Sequence, residues 1–175
     1  MSARRLSARK LQPEPGIPAA PAVQDNSLQD GRLQDGHRTD GAVDTLARTL
    51  WGEARGETVR AMEALAALVV NRVRRARERG GWWWGGDVVA VCRKPGQFAC
   101  WDAGVPERDG LLAVAPDDPA FAACQRIARR AVAGQLADPT GGATRVHRAG
   151  ENPDWAQGRS ACAEFGTLLF YNDVE

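Results

Sequence analysis

Apolar residues recur at helical spacing in three long stretches of the chain, separated by glycine- and proline-rich breaks. In the first, Val43, Leu46, Ala47, Leu50, Trp51 and Ala54 stand at i, i+3, i+4, i+7, i+8 and i+11, which is one face of a 3.6-residue helix. Asp44 is placed to cap its start. Gly56 is placed to stop it, because glycine enters the left-handed conformation that ends helices. The second stretch, Thr58 to Arg79, carries a stripe of Val59, Met62, Leu65, Ala66, Val69, Val70 and Val73, and its length predicts the central helix. In the third, Asp118 and Pro119 occupy the N-cap and first helical positions, and Gly134 closes the helix. Ala120, Phe121, Cys124, Ile127, Ala128, Ala131 and Val132 form its buried side. Between the last two lies a short helical DVVAVC capped by Asp87, while residues 102–117 read as an irregular surface connection. After Asp138 the PTGG turn leads to extended pieces around 143–147 and 167–171. The pattern predicts an α+β domain, in which three or four helices carry the core beside a small sheet or hairpin lobe.

Residues 1–40 break this patterning. They hold Pro13, Pro15, Pro18 and Pro21, two LQDG pieces, and few large apolar side chains, so they are predicted to be a disordered leader to a domain spanning 41–175. The leader's basic residues lack the apolar centre of a secretory signal, and no stretch has the length of a membrane span. The protein is thus expected to be made in the cytoplasm, to have no transmembrane segment, and to need a holin or another export partner for any role outside it. A net charge of +1 argues against nucleic acid as the main partner; the arginines from Arg72 to Arg79 oppose the helix dipole, with a basic surface that meets an anionic polymer as the secondary reading.

One charged residue does not fit the pattern. Glu53 lies seven residues after Leu46 and three after Leu50, on the apolar face of the first helix. Two readings remain open. It is a general acid whose pKa is raised by an apolar setting, or a buried carboxylate paired with Arg55 or Arg60. Glu57 is a secondary candidate, four residues on, with Gly56 redirecting the chain between them.

The tryptophan-rich GGWWWGG is a candidate substrate wall, because three consecutive rings cannot all face inward; Trp83 is the central one. Cys92, Cys100, Cys124 and Cys162 lack metal-like spacing, so no metal or other cofactor is expected. They are either four buried thiols or two disulfides, for which Cys92–Cys100 and Cys124–Cys162 is the pairing chosen. With only His37 and His147, a zinc amidase is a poor reading, and no cysteine stands at a helix start beside a base as a cysteine peptidase would need. A non-catalytic glycan-binding or virion structural module is the remaining rival to an enzyme.

Six separated motifs then occur in a recognisable order over residues 44–173: WGEARGE, VVNRV, PGQFACW, DPTGGATRVH, NPDWA and FYND. Together they resemble the SleB/CwlJ-like cell wall hydrolases, and the cysteine-containing short form is similar to proteobacterial and phage-like members. The resemblance implies a lysozyme-like fold of two lobes and cleavage of peptidoglycan glycan strands by a lytic transglycosylase or muramidase-type reaction, with endolysin-like use at the cell wall or periplasm. It implies that Glu53 is the catalytic acid. It also makes Gln97, Phe98, Gly142, Ala143, Thr144 and His147 candidates for positioning the sugar. Arg145 departs from the family pattern, which has an aromatic residue or histidine there. No cofactor is implied, and the protein is expected to work as a monomer.

Overall fold

The structure is a computed structural model that describes residues 27–80 and 84–174, with side chains from Arg38 onward. Residues 1–26 of the expected leader, together with Trp82 and Trp83, lie outside the described residues. The first helix, α1 (Ser27–Ala54), starts well before the anticipated cap, so Asp44 is an interior residue that accepts a hydrogen bond from Arg48 Nε at 2.9 Å. Residues 27–40, expected without secondary structure, form its first turns. Its end is as expected: Gly56 takes a φ of +90° and the Glu57 N–H closes on the Ala54 carbonyl.

Thr58 caps α2 (Val59–Glu78) by accepting from Ala61 N–H, Asp87 caps α3 (Val88–Arg93), and Asp118 caps α5 (Pro119–Val132). Between them α4 (Glu107–Ala113) replaces the predicted irregular connection. It buries only Leu111, too few positions to write a helical period, and its final carbonyls are satisfied from outside by Arg48 Nη1, which donates to Leu111 O and Leu112 O. The described helices include none long and apolar enough to cross a membrane.

The hub of the bundle is α1, not α2. It packs against α2, α3, α4 and α5 and against the 3-10 turn at Ala99–Trp101. Its polar side can be covered because Thr49, fully buried, donates to its own helix at Thr45 O and accepts from Trp101 Nε1 at 2.9 Å. Gly52 gives the closest approach: a Cβ there would lie 2.6 Å from Cys100 Cβ.

A three-stranded antiparallel sheet, β1 (Arg145–Arg148), β2 (Ala163–Phe165) and β3 (Leu168–Tyr171) in the order β1-β3-β2, forms the second lobe. Facing residues pair as Arg145 with Tyr171 and His147 with Leu169, and as Val146 with Phe170 and Arg148 with Leu168. Directly opposed residues share a face. Val146, Leu168 and Phe170 therefore join the main core under the helices, while Tyr171 and Leu169 pack with Trp155 and Ala156 in a small outer cluster.

Candidate active site

Glu53 sits in the last turn of α1, where the helix meets the sheet lobe. Its Oε1 accepts the Cys100 backbone N–H at 2.9 Å, from the 3-10 turn that Gly52 admits. Its carboxylate makes no ion pair among the described residues. The two arginines that could have neutralised it point elsewhere: Arg55 lies over the Trp51 ring at 4.7 Å, and Arg60 bonds Glu63 at 3.4 Å.

A cleft of about 120 Å³ opens in front of Glu53. Gln97, Phe98, His147, Arg148 and Glu151 share its wall, over an apolar floor of Leu65, Val146 and Leu168. Gln97, Phe98 and His147, selected from sequence, are on this wall. Arg148 and Glu151 were missed. Arg148 Nη2 donates to the Glu53 backbone carbonyl and Nη1 reaches Glu57 Oε1 at 3.5 Å, so one guanidinium spans the break between α1 and α2. Glu151 accepts the Arg148 N–H at 2.9 Å, which places a second carboxylate on the cleft. The only signal for either was position just after His147, which does not distinguish them from ordinary surface charge.

Glu57 has a different set of partners. It accepts from the Thr167 backbone N–H at 3.2 Å and from the Thr167 hydroxyl, in the β2–β3 turn. The turn is built for it: a Cβ on Gly166, whose φ is +60°, would lie 1.9 Å from Glu57 Oε2. Glu57 is thus a tie between lobes rather than a member of the cleft.

His147 is held on both ring nitrogens. Its Nδ1 faces the Arg148 carbonyl at 2.8 Å, which requires an N–H there, and its Nε2 then accepts from Tyr171 Oη at 3.0 Å. The ring stacks on Tyr171 and meets Trp155 edge-on at 5.6 Å.

Gly142, Ala143 and Thr144 do not reach the cleft. Ala143 and Thr144 are fully buried; the Ala143 carbonyl accepts from Asn71 Nδ2 and the Thr144 carbonyl from Arg72 Nε. Gly142 N–H donates to Asp138 at 2.7 Å. The GGAT segment hangs the sheet on α2, and its small residues fit that packing.

The expected disulfides are absent. All four cysteines are free thiols, with Cys92, Cys100 and Cys124 buried and Cys162 exposed. Each has its own surroundings: the Cys162 thiol faces the Thr140 and Phe170 carbonyls at 3.3 Å, whereas Cys124 is in the helical core. Cys92 is engaged by Thr49 and Cys100 by Glu53. Burial pushes the Cys92 thiol up to about 12 and the Cys100 and Cys124 thiols upward as well.

A helical lobe and a small sheet lobe meeting at a glutamate-bearing cleft define a lysozyme-like fold, and solved structures share it. The catalytic domain of the Bacillus cereus SleB protein matches with a TM-score of 0.58 and 23% identity, covering 75% of this chain and 89% of that one. The catalytic domain of the germination-specific lytic transglycosylase SleB from Bacillus anthracis matches with a TM-score of 0.56 and 24% identity, over 74% and 92%. The chain belongs to the cell wall hydrolase family, whose sequence profile matches residues 56–171. The matched segment begins just past Glu53, so the assignment of that residue rests on its geometry. No curated protein sequence matches the chain.

Proposed function

We propose that this protein cuts the glycan strands of peptidoglycan between N-acetylmuramic acid and N-acetylglucosamine as a lytic transglycosylase, with Glu53 as its acid. The observation that carries this is a carboxylate that lines a cleft and makes no ion pair among the described residues, the Arg148 guanidinium beside it being turned to the Glu53 backbone carbonyl and to Glu57. Family membership and the lytic transglycosylase named among the solved relatives support the same reading.

In the proposed reaction, Glu53 gives its proton to the bridging oxygen as the bond to the muramic C1 breaks. The sugar's own C6 hydroxyl then attacks C1 and returns its proton to the Glu53 carboxylate, which leaves a 1,6-anhydro end and restores the acid. Glycosidases that hydrolyse use a second carboxylate to activate water or act as nucleophile, whereas a substrate-supplied nucleophile removes that need. Glu151 is the residue that would position water if hydrolysis prevailed. The protein would act at the wall as a monomer, reaching it through an export partner such as a holin in endolysin-like use.

Glu53→Gln keeps the shape and the acceptor for Cys100 N–H but removes the acid. We expect it to lower solubilisation of purified sacculi by a factor on the order of 10² to 10⁴. Mass spectrometry of the products reads the chemistry: anhydro ends support the transglycosylase and reducing ends a hydrolase. Cut stem peptides, or full activity of the variant, would refute the assignment.

A further inference from the structure

Arg72 is the one arginine of the run closing α2 that is buried, with 4% of its surface exposed. A guanidinium has five N–H donors. Arg72 uses one, from Nε to the Thr144 carbonyl at 2.8 Å, and its plane lies over the Phe98 ring at 5.2 Å. Its Nη1 is buried without a partner. Burial, and then the neighbouring charge of Arg145, pull its pKa down to about 9, so it remains charged near neutrality.

Arg145, the first residue of β1, repeats the pattern. It makes no ion pair among the described residues, its Nε is buried without a partner, and its guanidinium lies over the Trp155 ring at 5.8 Å. The hydroxyl of Thr144, the residue before Arg145, is a third buried group with no partner. Acids near in sequence are committed elsewhere: Asp138 to Asn71, Thr140 and Gly142, Glu151 to the Arg148 N–H, and Asp154 to Gln157. Two like charges side by side, with donors unmet and no acid beside them, leave the place of an anion open. Phe98, beneath Arg72, and His147, which shares a strand face with Arg145, both line the Glu53 cleft.

The geometry points to a carboxylate-binding subsite at the half-buried Arg145, backed by the buried charge of Arg72, which holds an acidic group of the substrate beside the Glu53 cleft. A planar guanidinium matches a carboxylate with two parallel hydrogen bonds. The identity of the carboxylate rests on the proposed peptidoglycan substrate, in which the muramic acid carries either a free lactyl carboxylate or a stem peptide with its own. In either case Arg145 is a specificity-determining residue for strands that keep this charge.

The test is co-sedimentation of the Glu53→Gln protein with phosphate-free sacculi in three forms: intact, with carboxyl groups amidated, and with stems removed by an amidase so that lactyl carboxylates are free. Amidation is expected to weaken binding about ten-fold, the effect of a charge-assisted pair. Adding Arg145→Gln should weaken binding to intact sacculi by the same factor and leave binding to amidated sacculi unchanged, and Arg145→Lys should recover part of the loss. Binding retained on stem-free strands assigns the lactyl carboxylate; binding lost there assigns the stem peptide. Equal binding to intact and amidated sacculi, or an Arg145→Gln loss of equal size on both, would overturn the subsite. With Glu53 present, Arg145→Gln should raise KM on intact sacculi with little change in kcat. Absence of cutting by the unmodified protein would count against the lytic activity alone, since sedimentation reads the subsite without turnover.

Discussion

Glu53 and Glu57 stand on either side of a glycine and end with separate partners, Cys100 N–H for the first and the Thr167 turn for the second. Spacing alone made them look like a pair. The Gly56 turn separates their directions, so one side chain faces the cleft and the other ties α2 to the hairpin. Glu57 is nearly buried while Arg148 is 43% exposed, so their ion pair contributes little and the hydrogen bonds to Thr167 carry the tie. Replacing Glu57 by Gln is expected to lower stability by about 1.5 to 3 kcal/mol, the range for hydrogen bonds to a charged group. Activity per folded molecule should stay within roughly ten-fold of the wild type, far from the loss expected for a missing acid. Thermal unfolding and sacculus clearance on the same preparations check both halves. A loss of activity matching Glu53→Gln at unchanged melting temperature would return Glu57 to the catalytic machinery.

At the level of elements, the sheet is attached to the helices through polar groups as well as apolar packing. Asn71 and Arg72 on α2 hold the carbonyls of Ala143 and Thr144, and Asp138 gathers Asn71, Thr140 and the Gly142 N–H into one clip. Burial works to raise the pKa of Asp138, but the hydrogen bonds from Thr140, Asn71 and Gly142 outweigh it and hold the carboxyl below the usual carboxylate value. A depressed folded pKa means stabilisation that is complete above the unfolded value, near about 4, and is lost as pH falls through the folded one. Asp138→Asn should therefore melt below the wild type at pH 7, with the gap closing as the pH drops under about 4. A gap that stays constant down to the most acid condition tested would mean that the clip does not depend on charge.

Over the whole molecule, one core joins both lobes: Leu46, Leu50 and Phe121 of the helices share it with Leu168 and Phe170 of the sheet. The lobes should then unfold together, since neither has an apolar core of comparable size to itself. The thiols report this. Cys92, Cys100 and Cys124 are inside the shared core and Cys162 is exposed. A thiol reagent should label one cysteine on the native protein, and the other three should react together at the rate of global unfolding. Separate phases for Cys124 and Cys100 would mean that α5 and the site region open independently.

The apolar spacing of α1, α2 and α5, the caps Asp87 on α3 and Asp118 on α5, and the glycine stop at Gly56 are local properties, so the sequence by itself determined the cores of these helices and that Glu53 lies on an inward face, but neither the start of α1 nor the existence of α4. It did not determine which helix is central, because Thr49 looks polar in sequence and becomes buriable only when its hydroxyl is satisfied by Thr45 O and by Trp101 from a distant turn. For the same reason Arg72 reads as one more exposed charge at a helix end, and only the arrival of Thr144 and Phe98 beside α2 places it inside. The choice between an ion-paired and an unpaired Glu53 was likewise tertiary. It depended on Arg55 finding Trp51, on Arg60 finding Glu63, and on the Cys100 turn arriving from a distant part of the chain to meet the carboxylate.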